Sequence, residues 1–226
     1  MEKIHVLHEK KIRAIAELIK DKFGFYFKDI LIIGCGSGLE VIIFRETFKC
    51  KTVGIEIDHS VFDPKFTCLG SLLVADAQAL PFSNYSFDLV FSFHVLEHIP
   101  DYRKALAEMY RVLRNNGVAF VGVPNKSRIL GYIGSENASL KDKICWNLID
   151  WKARITGKFK NECGAHAGFS AEEIKRLLSK DFKHVIDTSL DYYQILYPKY
   201  SRLLSGLKKT GLAKYIFPAL FYAGIK

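Results

Sequence analysis

The sequence predicts an α/β chain: a doubly wound, mostly parallel, seven-stranded sheet with helices on both faces. Three observations predict it. The branched apolar run Ile30-Leu31-Ile32-Ile33 meets three glycines at alternate positions, Gly34, Gly36 and Gly38, and an amphipathic stretch from Leu39 to Phe48 follows at once. The next apolar run, Lys51 to Ile57, carries Glu56 at its end, with Asp58 two residues on. Further downstream, short apolar runs keep alternating with helix-periodic stretches, the pattern of strands joined by crossover helices.

The first two observations describe a nucleoside-binding half-site. A glycine without Cβ lets a ligand lie against the backbone, and the helix that follows presents free N–H groups there. A carboxylate at the end of the second strand can accept both hydroxyls of a ribose. A dinucleotide site expects G-x-G-x-x-G, whereas the spacing here is G-x-G-x-G, one residue shorter. That spacing disfavours a nicotinamide-dependent oxidoreductase.

The remaining elements follow in order. Residues 3 to 21 read as an amphipathic helix with Ile4, Leu7, Ile12, Ile15, Leu18 and Ile19 on one side. After a loop containing Pro64, Ser71 to Ala75 is the third strand, with Asp76 at its carboxyl end. Pro100 to Arg114 is a helix that buries Ala105, Leu106, Met109, Tyr110, Val112 and Leu113. Asn116-Gly117 then turns the chain into the strand Val118 to Val123. Periodicity is poor over residues 126–168, where Trp146, Ile149 and Trp151 are the anchors and a helix is expected over about 138 to 155. Ser170 and Glu173 have the spacing of a capping box ahead of Ile174, Leu177 and Leu178. Phe182 to Thr188 is the sixth strand, and a last helix precedes a seventh strand at Ala219 to Lys226.

At 226 residues the chain reads as a single domain, 1–226, with 49% hydrophobic residues to fill a core. The net charge is +9, and no acidic residue occurs between Tyr192 and Lys226. That basic C-terminal segment is read either as an ordinary last helix or as a surface for an anionic membrane or acidic partner. The five cysteines, Cys35, Cys50, Cys68, Cys145 and Cys163, are scattered and form no C-x-x-C, which leads to the expectation of a reduced, cytoplasmic protein. No apolar stretch reaches the ~20 residues that span a bilayer, and no secretory signal pattern is present.

Taken together, the ordered motifs resemble those of the class I S-adenosylmethionine-dependent methyltransferases, over roughly residues 28 to 125. Gly34-Cys35-Gly36-Ser37-Gly38 is similar to their first motif and Val53-Gly54-Ile55-Glu56 to their second. Ala75-Asp76-Ala77-Gln78 resembles their adenine-binding stretch, Phe87-Asp88-Leu89-Val90 their fourth strand, His94 to Asp101 the loop after it, and Arg111 to Gly117 the turn before strand five. The nearest flavour is the group containing the ubiquinone-biosynthesis methyltransferases. The resemblance implies a Rossmann-like fold and S-adenosyl-L-methionine as methyl donor. It implies Glu56 on the ribose, Asp76 on the adenine amino group, and Gly34, Cys35, Gly36, Gly38, Ile57, Ala77 and Phe93 as further cofactor contacts. It also implies an acceptor pocket or lid formed by 126–168. One residue departs from the pattern: the family carries an acid two residues before the first glycine, and here that residue is Ile32.

The run His94-Val95-Leu96-Glu97-His98 matches H-x-x-E-H, a zinc-protease pattern that needs both histidines on one face of a long helix. Pro100 lies too close for such a helix. In the resembling methyltransferases a similar loop, with Glu in place of His94, is implied to hold a divalent cation, so His94, Glu97 and His98 are candidate metal ligands. His94, His98 and His166 are also candidate bases for a hydroxyl or acidic-carbon acceptor, and His94 is alternatively a residue that closes the cofactor pocket. A small-molecule or lipid-like acceptor is expected. The Asn/Asp-Pro-Pro-Tyr/Phe loop of nucleic-acid amino-methyltransferases is missing, which disfavours base amines as acceptors. A non-catalytic cofactor-binding or scaffold protein is the alternative, motivated by Ile32 and the basic tail.

Overall fold

The central strand, β1 (Asp29–Ile33), sets the layers. Ile30 and Ile32 enter one apolar cluster, and Leu31 and Ile33 enter the other. A strand covered on both faces reads as an unbroken apolar run, which is why Ile30 to Ile33 contains no polar residue. The computed structural model describes residues 2–24, 26–67, 71–129, 131, 139–156 and 168–226.

The sheet has seven strands in the order β3-β2-β1-β4-β5-β7-β6. They are β2 (Lys51–Glu56), β3 (Ser71–Val74), β4 (Phe87–Phe93), β5 (Leu113–Pro124), β6 (His184–Asp187) and β7 (Ala219–Ile225). Only β7 runs against its neighbours, pairing antiparallel with β5 and β6. One face is covered by α1 (Glu2–Phe23), α2 (Leu39–Phe48) and α7 (Ser189–Leu196), whose Ile15, Ile19, Val41, Phe44, Tyr192 and Tyr193 lie in the cluster with Ile32. The other face is covered by α4 (Tyr102–Val112) and α6 (Ala171–Leu178), through Ala105, Leu106, Met109, Ile174 and Leu177. A single turn, α3 (Pro64–Thr67), follows β2. The expected doubly wound sheet is the observed one.

Several element boundaries differ from expectation, each for a physical reason. Pro100 lies ahead of α4, because Asp101 caps the helix by accepting the Lys104 N–H at 3.1 Å. The same helix ends at Val112 instead of Arg114, and Leu113 is already extended. Arg114 is drawn to the lower edge of the sheet, where it donates to Asp29 at 2.8 Å and pairs with Asp88 at 2.9 Å. The expected last helix is broken into α7, a short 3-10 turn at Pro198–Tyr200, α8 (Ser201–Lys209) and α9 (Ala213–Ile216). Pro198 cannot donate into a continuing helix, and Gly211 takes a φ of 76° that ends α8. Residues of the basic segment are partly structural: Lys208 pairs with Asp187, and Lys226 donates to the carbonyls of Tyr110 and Leu113.

The helix expected over 138 to 155 is α5 (Leu140–Thr156), and the Ser170–Glu173 capping box is present with both reciprocal hydrogen bonds. Much of 126–168 lies outside the described residues, including His166. Among the described residues no helix is long and apolar enough to cross a membrane, and Cys35, Cys50 and Cys145 are free.

Candidate functional site

The carboxyl ends of β1, β2, β3 and β4 lie side by side. The register sets Ile33 beside Ile55 and Ser92, and Glu56 beside Val74. The glycine turn, Glu56, Asp76 and His94 therefore share one edge of the sheet, where ligands of open α/β sheets bind. Gly34, Gly36 and Gly38 have φ values of 69°, 49° and 96°, a region that side-chain-bearing residues avoid. Beyond φ, the glycines serve different ends. A Cβ on Gly34 would collide with Val95, whereas one on Gly36 would meet nothing within 4 Å. Open space above a backbone turn is what a ligand lying against that turn requires.

Glu56 holds the turn from the next strand. Its carboxylate accepts the Gly36 N–H at 3.0 Å and the Ile57 N–H at 2.9 Å. Ile57 is 67% exposed, a branched apolar side chain left uncovered next to the carboxylate. Asp76 is half-buried and accepts from the Gln78 backbone N–H at 2.8 Å, while Ala77 is buried in the α4 layer. The stretch that follows is clamped from α4. Arg111 donates to the carbonyls of Leu80 and Phe82, and Glu108 accepts the Leu80 N–H at 2.8 Å.

The Cys35 side chain does not face the open space. Cys35 is 2% exposed, and its sulfur lies where a Cβ on Gly54 would come within 2.7 Å. Burial, with Glu56 and Glu40 adding to it, pushes the thiol up to about 12, so it stays protonated and unreactive. The part of Cys35 at the turn is its N–H, which donates to the Ile55 carbonyl at 3.0 Å. Phe93 stacks on Phe221 at 5.8 Å and meets the His94 ring edge-on at 4.3 Å, so it forms wall rather than opening.

His94 has a φ of 55°, uncommon for a residue with a side chain and worth 1–3 kcal/mol of strain by rough estimate. Its Nδ1 lies 3.2 Å from Glu97 Oε1, and its N–H donates to the Gly122 carbonyl at 2.8 Å. Glu97 is 3% exposed, and its Oε2 has no hydrogen-bond partner among the described residues. His98 Nε2 is farther from Glu97 Oε1, at 3.9 Å. These residues occupy a single 3-10 turn, Leu96–His98, and not the long helix of a zinc protease. The metal expectation for His94, Glu97 and His98 is not met: among the described residues no three His, Cys, Asp or Glu side chains are grouped to hold an ion. Burial of Glu97 beneath the short turn, with Oε1 already facing His94, is the reason.

One residue of this edge escaped the sequence reading. Glu40, in the first turn of α2, is buried, with its Oε1 3.4 Å from His8 Nε2 on α1. Among the described residues its buried Oε2 has no hydrogen-bond partner. Burial is the largest influence on the Glu40 carboxyl and pushes it up; His8 and His94 act against it and Glu56 with it. An acid inside an otherwise apolar helix face was the available signal.

Residues 31–121 match the family model described as "Methyltransferase domain". An uncharacterized protein of Methanocaldococcus jannaschii is 34% identical over 103 residues, 46% of this chain and 44% of that one. The ubiquinone biosynthesis O-methyltransferase of Bartonella quintana is 28% identical over 167 residues, 70% of this chain and 61% of that one. The chain thus spans under two thirds of the length of these curated relatives. A solved S-adenosylmethionine-dependent methyltransferase of Thermotoga maritima superposes with a TM-score of 0.57 at 19% identity, covering 100% of this chain and 95% of that one. Motif order, strand order and the matched residues agree, and residues 31–121 of the chain are similar to a methyltransferase domain.

Proposed function

We propose that this chain binds S-adenosylmethionine across the Gly34–Gly38 turn and transfers its methyl group to a hydroxyl of a small, lipid-like acceptor. The observation that carries the reading is the open space over Gly36, bordered by the Glu56 carboxylate and the exposed Ile57. In this reading Glu56 accepts the ribose, Asp76 accepts from the adenine edge and Ile57 offers an apolar face, and all three stand at the same edge of the sheet. The ubiquinone O-methyltransferase relative supports a prenylated or otherwise lipid-like hydroxyl acceptor.

When bound, S-adenosylmethionine would supply an electrophilic sulfonium methyl to the acceptor oxygen, its sulfur leaving with the bonding pair as S-adenosylhomocysteine. The protein's part is positioning and proton transfer. Glu97 accepts from His94 Nδ1–H and so fixes the tautomer that leaves Nε2 as a proton acceptor. His94 Nε2 takes the acceptor's proton, and the buried Glu97 carboxylate stabilises the resulting imidazolium. His166 and the lid role of 126–168 remain part of the acceptor side of this proposal. No step is routed through a metal.

The test is a pH–rate profile with labelled S-adenosylmethionine and a panel of prenylated phenols. His94→Gln should lower kcat about 10²-fold or more across the pH range, with cofactor affinity unchanged. An unaltered profile would remove His94 from the mechanism.

A further inference from the structure

We propose that Glu40 receives the α-ammonium group of the cofactor's amino-acid portion. The inference rests on the cofactor reading above and names the residue for one end of that ligand.

Ile32 is fully buried, in register between Gly54 and Phe91, and lies in the apolar cluster beneath α1 and α2. Nothing at that position can meet a cation. Glu40 belongs to the helix that packs on that same face, one turn past the glycines. Its side chain is 7% exposed, so it is more than nine-tenths buried, and Oε2 has no hydrogen bond among the described residues. A buried carboxylate with an empty lone pair is costly unless a cation or donor completes it. His8, Glu56 and His94 are among the charged groups that act on it, and Glu40 in turn helps to raise the Cys35 thiol inside the glycine turn. Glu40 therefore stands among the groups that surround the turn, on the side covered by α1. His8 reaches Oε1 at 3.4 Å and leaves Oε2 as the unfilled acceptor. S-Adenosylmethionine carries an ammonium group at the end opposite its adenine, and a charge-assisted hydrogen bond to it would satisfy Oε2.

The test compares two ligands by calorimetry. S-Adenosylhomocysteine has the ammonium group; 5′-methylthioadenosine has the same nucleoside and sulfur without the amino-acid portion. Glu40→Gln should weaken S-adenosylhomocysteine by about tenfold or more and leave methylthioadenosine within about twofold. Equal loss for both ligands, or none for either, would overturn the assignment. Circular dichroism and the thermal midpoint establish that the variant is folded. His8→Ala supplies a second reading that keeps the carboxylate: S-adenosylhomocysteine affinity should hold or rise, and a fall matching that of Glu40→Gln would assign the effect to the helix contact and overturn the proposal. If the wild-type protein bound neither ligand, the cofactor reading itself would fall, and this inference with it.

Discussion

The two ends of the same parallel strands are built in opposite ways. At the amino end, Asp88 accepts the N–H groups of Lys28 and Asp29 at 2.7 and 3.0 Å, and Arg114 bridges Asp88 and Asp29. The charges there face partners supplied by the chain. At the carboxyl end, Glu40 and Glu97 each keep a buried oxygen without a partner among the described residues, the Ser92 hydroxyl does the same, and His94 sits at a strained φ. A fold that can satisfy its polar groups at one end and leaves them unsatisfied at the other is holding the second end ready for something outside the chain. The lesson is that within one sheet, unfilled hydrogen-bonding capacity separates site from scaffold more sharply than the presence of charge does.

The sharpest way to break this comparison is to fill the open end. Gly36→Val places a branched side chain where no atom lies within 4 Å, at a φ of 49°. It should cost the free protein about 1–2 kcal/mol in backbone strain and reduce S-adenosylhomocysteine affinity roughly a hundredfold or more. Unchanged affinity in a titration would show that the space over Gly36 is not the cofactor's.

Glu56→Gln is the next largest effect. Hydrogen bonds to a charged acceptor contribute ~1.5–3 kcal/mol against about 0.5–1.5 for neutral ones, so affinity should fall roughly tenfold. Because Glu56 also accepts two backbone N–H groups in the free protein, Glu56→Ala should lower stability by about 1 kcal/mol as well as weaken binding. Loss of stability without loss of affinity would make Glu56 a strut of the turn alone, with Asp58 the next ribose candidate.

The amino end should answer in the opposite sense. Arg114→Ala removes two ion pairs, but the guanidinium is 37% exposed, so solvent screening holds the expected loss to about 1 kcal/mol. Cofactor affinity should not move. A tenfold change in affinity would mean that the two ends are coupled through the strands.

The smallest effect is a pH dependence. Burial alone would push the Asp88 carboxyl up, but Arg114 and the two N–H donors outweigh it and hold the group below its ordinary value. A depressed folded pKa gives stability that is complete above the unfolded value of about 3.9 and is lost as pH falls through the folded value. The urea midpoint difference between wild type and Asp88→Asn should therefore be larger at pH 7 than at pH 3. A constant difference would contradict the charge argument.

What the sequence disclosed follows the same division. β1, the glycine turn and Glu56 were legible, because strand alternation and glycine spacing are local properties. The capping box at Ser170 was legible for the same reason. Glu40 was not: an acid in a first helical turn ordinarily faces water and complements the helix dipole. Only α1, distant in sequence and lying across α2, buries it. The strained φ of His94 was also hidden, since histidine carries no mark of it. Neither was it visible that Glu97 would be buried beneath a 3-10 turn, which turned a suggestive metal pattern into a histidine–carboxylate pair.

The central claim is that the open carboxyl end binds a nucleoside methyl donor. Calorimetry of the wild-type chain with S-adenosylmethionine, S-adenosylhomocysteine and NAD tests it most directly. The account predicts micromolar binding of the first two and none of the third. Binding of NAD alone, or of no ligand at all, would contradict it.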